Sequence, residues 1–205
     1  QFAGSGGNNN SVGTEAWSNP DRITANDGSY TSAESTPADI THNSTSSTID
    51  AFTGTVSYAH TVNSGSNKVL VVGVVAREVT EATGITYAGQ SLTKLIDVPN
   101  TFNHEGTDYY QSASMWYLLD PPTGTNTVVV SMNRAKKPTT PANTYDDHSI
   151  ASGAITLNNV AQQAPEAIET GKIVARTVTT AITTLTDGAW LVDIAGFSLD
   201  QNQNQ

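Results

Sequence analysis

The feature that most constrains the fold is a valine-rich run at residues 69–76, Val-Leu-Val-Val-Gly-Val-Val-Ala. It is too short to cross a bilayer and too rich in β-branched residues to favour a helix. A second strand-like stretch follows at residues 85–95, and the tight turn Ala88-Gly89-Gln90 within it predicts a hairpin. Because the valine run is apolar on both faces, we expect it to lie inside the molecule. Together the two stretches predict the centre of a β-sandwich.

Strand patterns and turn signals recur along the rest of the chain, and no segment shows a convincing helical period. The predicted fold class is therefore all-β, an antiparallel, jelly-roll-like β-sandwich with an extended N-terminal arm. We expect the sandwich to span residues 49–205 and the arm, with its linker, residues 1–48. The further predicted strands are 55–60, 111–119, 125–132, 149–157, 172–180 and 189–197, and the predicted polar loops are 99–108 and 134–148.

The predicted arm has a composition that cannot bury a core alone, being mostly Gly, Asn, Ser, Thr and Ala. Within it, Val12, Thr14 and Ala16 alternate with Gly13 and Glu15 in a short strand pattern. Such a strand can be donated to another subunit, with Phe2 as an anchor at its tip. The C-terminal residues 198–205 are the alternative donor, but they are more polar.

Composition indicates an exported protein. Only 14% of the residues are charged and the net charge is −10, whereas soluble proteins usually carry about 25% charged residues. Ser, Thr, Asn and Gln supply the polar surface instead. The acidity argues against nucleic acid as a partner, and no apolar segment approaches 18 residues, so we expect no membrane insertion. The chain opens at Gln1 rather than Met, which suggests a processed mature protein or a trimmed chain.

Nothing in the sequence announces a reaction, and we predict no enzyme and no cofactor. The near carboxylate pairs lie in predicted loops without flanking aromatic residues, so solvated surface charges are the favoured interpretation. Four scattered histidines do not make a zinc site, and no Ser/His/Asp set stands out. The pairs are Glu78 with Glu81, Glu105 with Asp108, and Glu166 with Glu169.

Two kinds of polar site remain open. Calcium at Asp146-Asp147 or at Asp27 is an alternative to plain surface acids, because loop carboxylates and carbonyls suffice for that ion. Asn9 and Asn43 each stand in an Asn-x-Ser/Thr pattern and are the candidate glycosylation sites.

The aromatic residues divide into two groups. Trp116, Tyr117 and Trp190 lie in strand patterns and are predicted to be core. Trp17 and the Tyr109-Tyr110 pair are candidates for exposure, where they would suit sugar stacking or an interface.

Residues 54–197 resemble a recurring β-sandwich module of exported bacterial and archaeal surface proteins. The matching pieces are Val56-Ser57-Tyr58-Ala59-His60-Thr61, the run 65–74, the hairpin 85–93, the segment 115–125 and Asp187-Gly188. The resemblance implies the fold and a cell-surface location, not a chemistry. In architecture the chain is also similar to filament subunits joined by donor strands, such as archaeal bundling pili.

The preferred hypothesis is a structural subunit of an extracellular, pilus-like or fimbria-like filament. Its arm would add a strand to the next subunit, which makes the partner a second copy of the chain. The alternatives are a secreted module that binds carbohydrate or cell wall, with surface glycans as partners, and a virion surface protein.

Overall fold

The computed structural model describes residues 38–51, 55–77, 81–104, 107–133, 149–171 and 179–196. Its strands all lie in the unit Asp39–Gln205. These residues form nine strands and no helix, arranged as two antiparallel sheets, which confirms the predicted all-β sandwich. The strands are β1 (Thr41–Ala51), β2 (Thr55–Val62), β3 (Val69–Arg77), β4 (Glu81–Tyr87), β5 (Gln90–Ser91), β6 (Thr93–His104), β7 (Thr107–Leu119), β8 (Gly124–Asn133) and β9 (Ser149–Asn158).

The first sheet has five strands in the order β1-β9-β3-β7-β6, and the second has four in the order β2-β8-β4-β5. The valine run forms β3, which lies at the middle of the five-stranded sheet and pairs with β7 and β9. A central strand has no free edge, and its β-branched side chains pack well on a pleated surface. The prediction that this run lies inside the fold is confirmed.

The core lies between the two sheets. β3 contributes Leu70, Val72 and Val74, which alternate with side chains on the other face of the strand. The facing sheet contributes buried side chains of β2, β4 and β8. They include Val56, Ile85, Tyr87, Val128 and Val130.

The predicted hairpin is also confirmed. Tyr87 pairs with Gln90, so Ala88 and Gly89 form a two-residue turn between β4 and β5. Their φ angles are +50° and +79°, the left-handed values that a type I′ turn requires. Glycine adopts such an angle without steric cost.

The predicted polar loop at 99–108 is wrong. β6 continues to His104 and β7 begins at Thr107, so most of this stretch is a long hairpin. Pro99 suggested a loop, but β6 is an edge strand, where a missing N–H can face away from the sheet.

The predicted strand at 189–197 is wrong wherever the structure describes it, because residues 189–196 have no strand partner. Trp190 is 49% exposed, so its assignment to the core is wrong too, whereas Trp116 is buried as predicted. Of the predicted strand 172–180, residues 172–178 lie outside the described residues and 179–180 form no strand. β1 begins at Thr41 and crosses the predicted boundary between residues 48 and 49.

Candidate functional site

The outer face of the five-stranded sheet is apolar, although it does not face the sandwich core. On β3, Val71 and Val75 point to this face and are half-buried, and Met115 and Tyr117 continue it on β7. A sheet face that meets water usually carries polar residues at such positions. The valine run is therefore apolar on both faces because both of its faces are covered.

Two covering segments, residues 160–171 and 179–196, lie over this face without forming regular secondary structure. Their closest approach to the sheet is at β3. A Cβ on Gly73 would lie 2.6 Å from Ile194 Cδ1, and a Cβ on Gly196 would lie 2.8 Å from Val75 Cγ1. Glycine at these two positions lets the second covering segment lie directly on the central strand.

Elsewhere the covering segments leave a groove of about 1400 Å³ above the sheet. The groove is open at its exposed border, and an apolar occupant would gain hydrophobic free energy by covering its walls. Its apolar walls include Val71, Val75, Leu95, Val98, Met115 and Tyr117.

The described residues that line the groove carry charge of one sign. Their charged members are Glu166, Glu169 and Asp193, and none of them is a lysine or an arginine. Around its border Ile49 is 81% exposed, and Ile168 and Leu191 are exposed as well. Contiguous exposed apolar surface is a feature that interaction sites often share.

Glu166 joins the two covering segments. Its carboxylate accepts hydrogen bonds from Leu185 N at 2.8 Å, from Thr186 N at 3.3 Å and from Thr186 Oγ1 at 2.7 Å. These bonds favour the charged form, so the hydroxyl of Thr186, followed by the N–H of Leu185, lowers the pKa of Glu166. The predicted pair Glu166 with Glu169 is thus part of the groove border.

The start of β1 is held beside the groove by asparagines. Asn159 Nδ2 donates to Asp39 O at 2.9 Å, and Ile40 lines the groove. The Asn43 amide donates to Asn63 O at 3.2 Å and to Asn158 Oδ1 at 2.8 Å. These bonds fix the point at which residues 1–37 join the described part of the chain.

The same bonds bear on the candidate glycosylation site Asn43. Its Oδ1 also accepts from Asn63 N at 2.8 Å, so both ends of the amide are engaged. An N-linked sugar replaces one hydrogen of Nδ2 and would remove one of its two donated bonds. Asn9, the other candidate, lies outside the described residues.

The edge of the five-stranded sheet opposite β1 is formed by β6, which is protected against further strand pairing. β6 carries Pro99, a bulge between Lys94 and Ile96, and an ammonium group that reaches inward. Lys94 Nζ lies 3.0 Å from Asp97 Oδ2 and 4.9 Å from the centroid of the Trp116 ring. Proline, bulges and inward charges are devices by which natural edge strands avoid pairing with other chains.

On the other side of the sandwich, polar side chains connect the edge strands β1 and β2 around His60. Ser46 Oγ lies 2.8 Å from His60 Nδ1, and Thr156 Oγ1 lies 2.8 Å from Nε2. A serine beside a histidine resembles a catalytic pair, but among the described residues the hydrogen-bond partners of this ring are the hydroxyl groups of serines and a threonine. Because burial lowers the pKa of His60, the ring is a weak base. The cluster is better suited to holding the two edges together.

Most of the other predicted site residues lie outside the described residues. These include Phe2, Val12, Thr14 and Ala16 of the donor strand, the calcium candidates Asp27 and Asp146-Asp147, and Trp17. Tyr109 and Tyr110 lie in β7. Within the described ranges, no group of three or more His, Asp or Glu side chains is placed to hold a metal ion.

Sequence patterns had not indicated the groove. The sequence pattern that bears on the groove lies in residues 189–197, where apolar residues recur in a strand-like pattern after a Gly-containing turn. That pattern predicts an extended segment but does not say whether the chain supplies its partner.

No helix among the described residues has the length and hydropathy that a membrane span requires. Comparisons with protein-family models, with curated proteins and with solved structures each found no match for the chain.

Proposed function

We propose that the protein is a structural subunit of an extracellular filament and that it polymerises by strand donation. The arm of one subunit, residues 1–16, enters the groove of the next subunit. The groove is the observation that supports this most, because it is an apolar sheet face that the described parts of the covering segments leave partly open. An extended strand with one apolar face suits such a wall when its backbone groups find partners in a neighbouring strand.

An extended strand could lie over the five-stranded sheet, which spans roughly 19 Å across its strands at about 4.8 Å per strand spacing. Alternate side chains of the donor would face the sheet, and Val12, Thr14 and Ala16 are small enough to lie flat against it. The other side chains, which include Glu15, would point away from the apolar walls.

The length of the arm permits donation to a neighbour. The described chain starts beside the groove, at Asp39 and Ile40. An extended arm of 16 residues reaches up to roughly 50 Å, which is enough to bridge two subunits. A head-to-tail contact of this kind does not close on itself and so builds a fibre.

Composition supports the extracellular location. A surface that is rich in Ser, Thr, Asn and Gln, with 14% charged residues, suits an exported protein. The subunit is its own main partner, and Asn9 in the arm remains the candidate for a surface glycan.

Electron microscopy of negatively stained protein tests the proposal. The full chain should form filaments, and a variant that lacks residues 1–16 should remain monomeric because it has no donor. Monodisperse particles from both proteins, or filaments from both, would contradict the proposal.

A charge placed in the groove tests the acceptor. Met115→Glu puts a carboxylate on the apolar wall and should abolish filaments, since a donor strand would have to bury that charge. Ser57→Glu is the matched control, because it adds the same charge at an exposed position on β2 in the other sheet. Circular dichroism should show that both variants keep their β structure.

A further inference from the structure

Residues 189–196 have the pattern of a strand without having a partner. Leu191, Asp193 and Ala195 are exposed, whereas Val192 and Ile194 are half-buried against the groove. This alternation has the period of two that is typical of a strand with one covered face.

The position of this segment is fixed over the sheet. Ile194 lies against Gly73, and Gly196 lies against Val75, both on β3. Upstream, Glu166 accepts hydrogen bonds from the backbone of Leu185 and Thr186. The segment is therefore held at both ends.

No backbone hydrogen bond joins residues 189–196 to another described residue. Most of this segment is exposed, so its N–H and C=O groups are open to water or to an added strand. A strand laid beside the segment could therefore pair with them.

We propose that residues 189–196 are the acceptor strand and that the arm of a second copy forms a β-ladder with them. This inference rests on the proposed function and names the element that the donor pairs with. The occupant is residues 1–16, because the 37 residues before Ala38 form the longest stretch of chain outside the described residues and join it beside the groove.

A β-ladder with one donor strand would use only some of the backbone N–H groups of the acceptor strand. Along a strand, side chains and backbone groups alternate together, so the N–H groups of Leu191, Asp193 and Ala195 point to one edge. Those of Val192 and Ile194 point to the other edge. One donor strand on one edge uses only one of these two sets.

A proline scan of the segment tests the inference in the full chain. Leu191→Pro, Val192→Pro, Asp193→Pro and Ala195→Pro each remove one N–H, while proline remains compatible with extended backbone. Prolines of one set should abolish filaments and prolines of the other set should not. Leu191→Ala, Val192→Ala and Asp193→Ala are the matched controls, and all should assemble.

Hydrogen exchange supplies a second measurement. Amides of residues 189–196 should exchange freely in the monomer and should slow by a factor of about 10 or more in the filament, because ladder hydrogen bonds protect them. Free exchange in the filament, or loss of assembly with prolines of both sets, would overturn the inference.

The outcomes separate this inference from the proposed function. If removal of residues 1–16 abolishes filaments but no proline does, the donor pairs elsewhere and only the inference fails. If the variant without residues 1–16 still forms filaments, the proposed function itself fails.

Discussion

His60 shows how this sandwich holds a polar residue inside. The side chain is buried between the sheets, yet both ring nitrogens lie 2.8 Å from hydroxyl groups, Ser46 Oγ at Nδ1 and Thr156 Oγ1 at Nε2. Tyr87 stands edge-on to the ring, with centroids 5.9 Å apart. A buried polar group is tolerated when its hydrogen bonds are made, so this histidine stabilises the side of the sandwich where β1 meets β2.

Acid should therefore weaken the fold through His60. Burial lowers its pKa below the usual value of 6.5, so between the two pKa values the unfolded chain binds more protons than the folded chain. The free energy of unfolding should be constant above about pH 6.5 with respect to this group and should fall as the pH drops below it. Urea unfolding should show a smaller loss for His60→Gln, which cannot titrate. Equal pH dependence in both proteins would contradict this role.

Tyr58 should affect the stability of the fold at alkaline pH. Burial raises its pKa to about 12, and the hydrogen bond to Ser152 Oγ, 3.0 Å away, partly offsets that rise. Between about pH 10 and 12 the unfolded chain releases this proton and the folded chain keeps it, so stability should fall as the pH rises. Ultraviolet titration should show one late tyrosine that Tyr58→Phe removes. Ordinary titration of every tyrosine in the folded protein would refute the prediction.

At the level of whole elements, the covering segment 179–196 packs against β3 at two glycines, Gly73 and Gly196. Adding a side chain at Gly73 forces Ile194 to move, because even a Cβ would lie 2.6 Å from its Cδ1. Gly73→Val should free residues 189–196 from β3 while the core side chains on the other face keep their packing. Limited proteolysis should cut this segment faster, and Trp190 fluorescence should shift to the red.

A second change should reverse that effect. Ile194→Ala shortens the side chain that Gly73→Val displaces, so the double variant should regain protection from the protease. Accelerated cleavage in the double variant equal to that in Gly73→Val would show that the contact does not hold the segment.

The edge strand β6 should depend on Lys94. Its ammonium group reaches inward over Trp116 and lies 3.8 Å from Glu81 Oε2, between the edges of the two sheets. Lys94→Leu removes this charge and should make the edge pair with other chains, which light scattering would detect as amorphous aggregation. Lys94→Arg keeps the charge and should remain soluble. Unchanged solubility of Lys94→Leu would mean that Pro99 and the bulge protect the edge without it.

At the scale of the whole molecule, the sequence predicted the sandwich but not the groove. The valine run and the Ala88-Gly89 turn carry local signals strong enough to place β3 and the β4–β5 hairpin. The β6–β7 hairpin was missed because Pro99 and its polar neighbours look like a loop unless the strand is known to lie at an edge.

Trp190 shows more clearly why the sequence did not predict the groove. Its neighbours have a strand pattern, and a strand pattern with a tryptophan predicts core. Periodicity reports the preference of a segment for extended backbone, whereas burial depends on which other segments pack on it. If its partner belongs to a second copy, no pattern within one chain can reveal that.

Mixing two defective subunits is the most direct test of strand donation. The variant that lacks residues 1–16 keeps the acceptor groove, and Met115→Glu keeps the donor arm. Each alone should be monomeric, and the mixture should form a one-to-one heterodimer that does not grow, as measured by analytical ultracentrifugation. A mixture that stays monomeric, or filaments formed by either variant alone, would contradict strand donation from the arm of one subunit to the groove of the next.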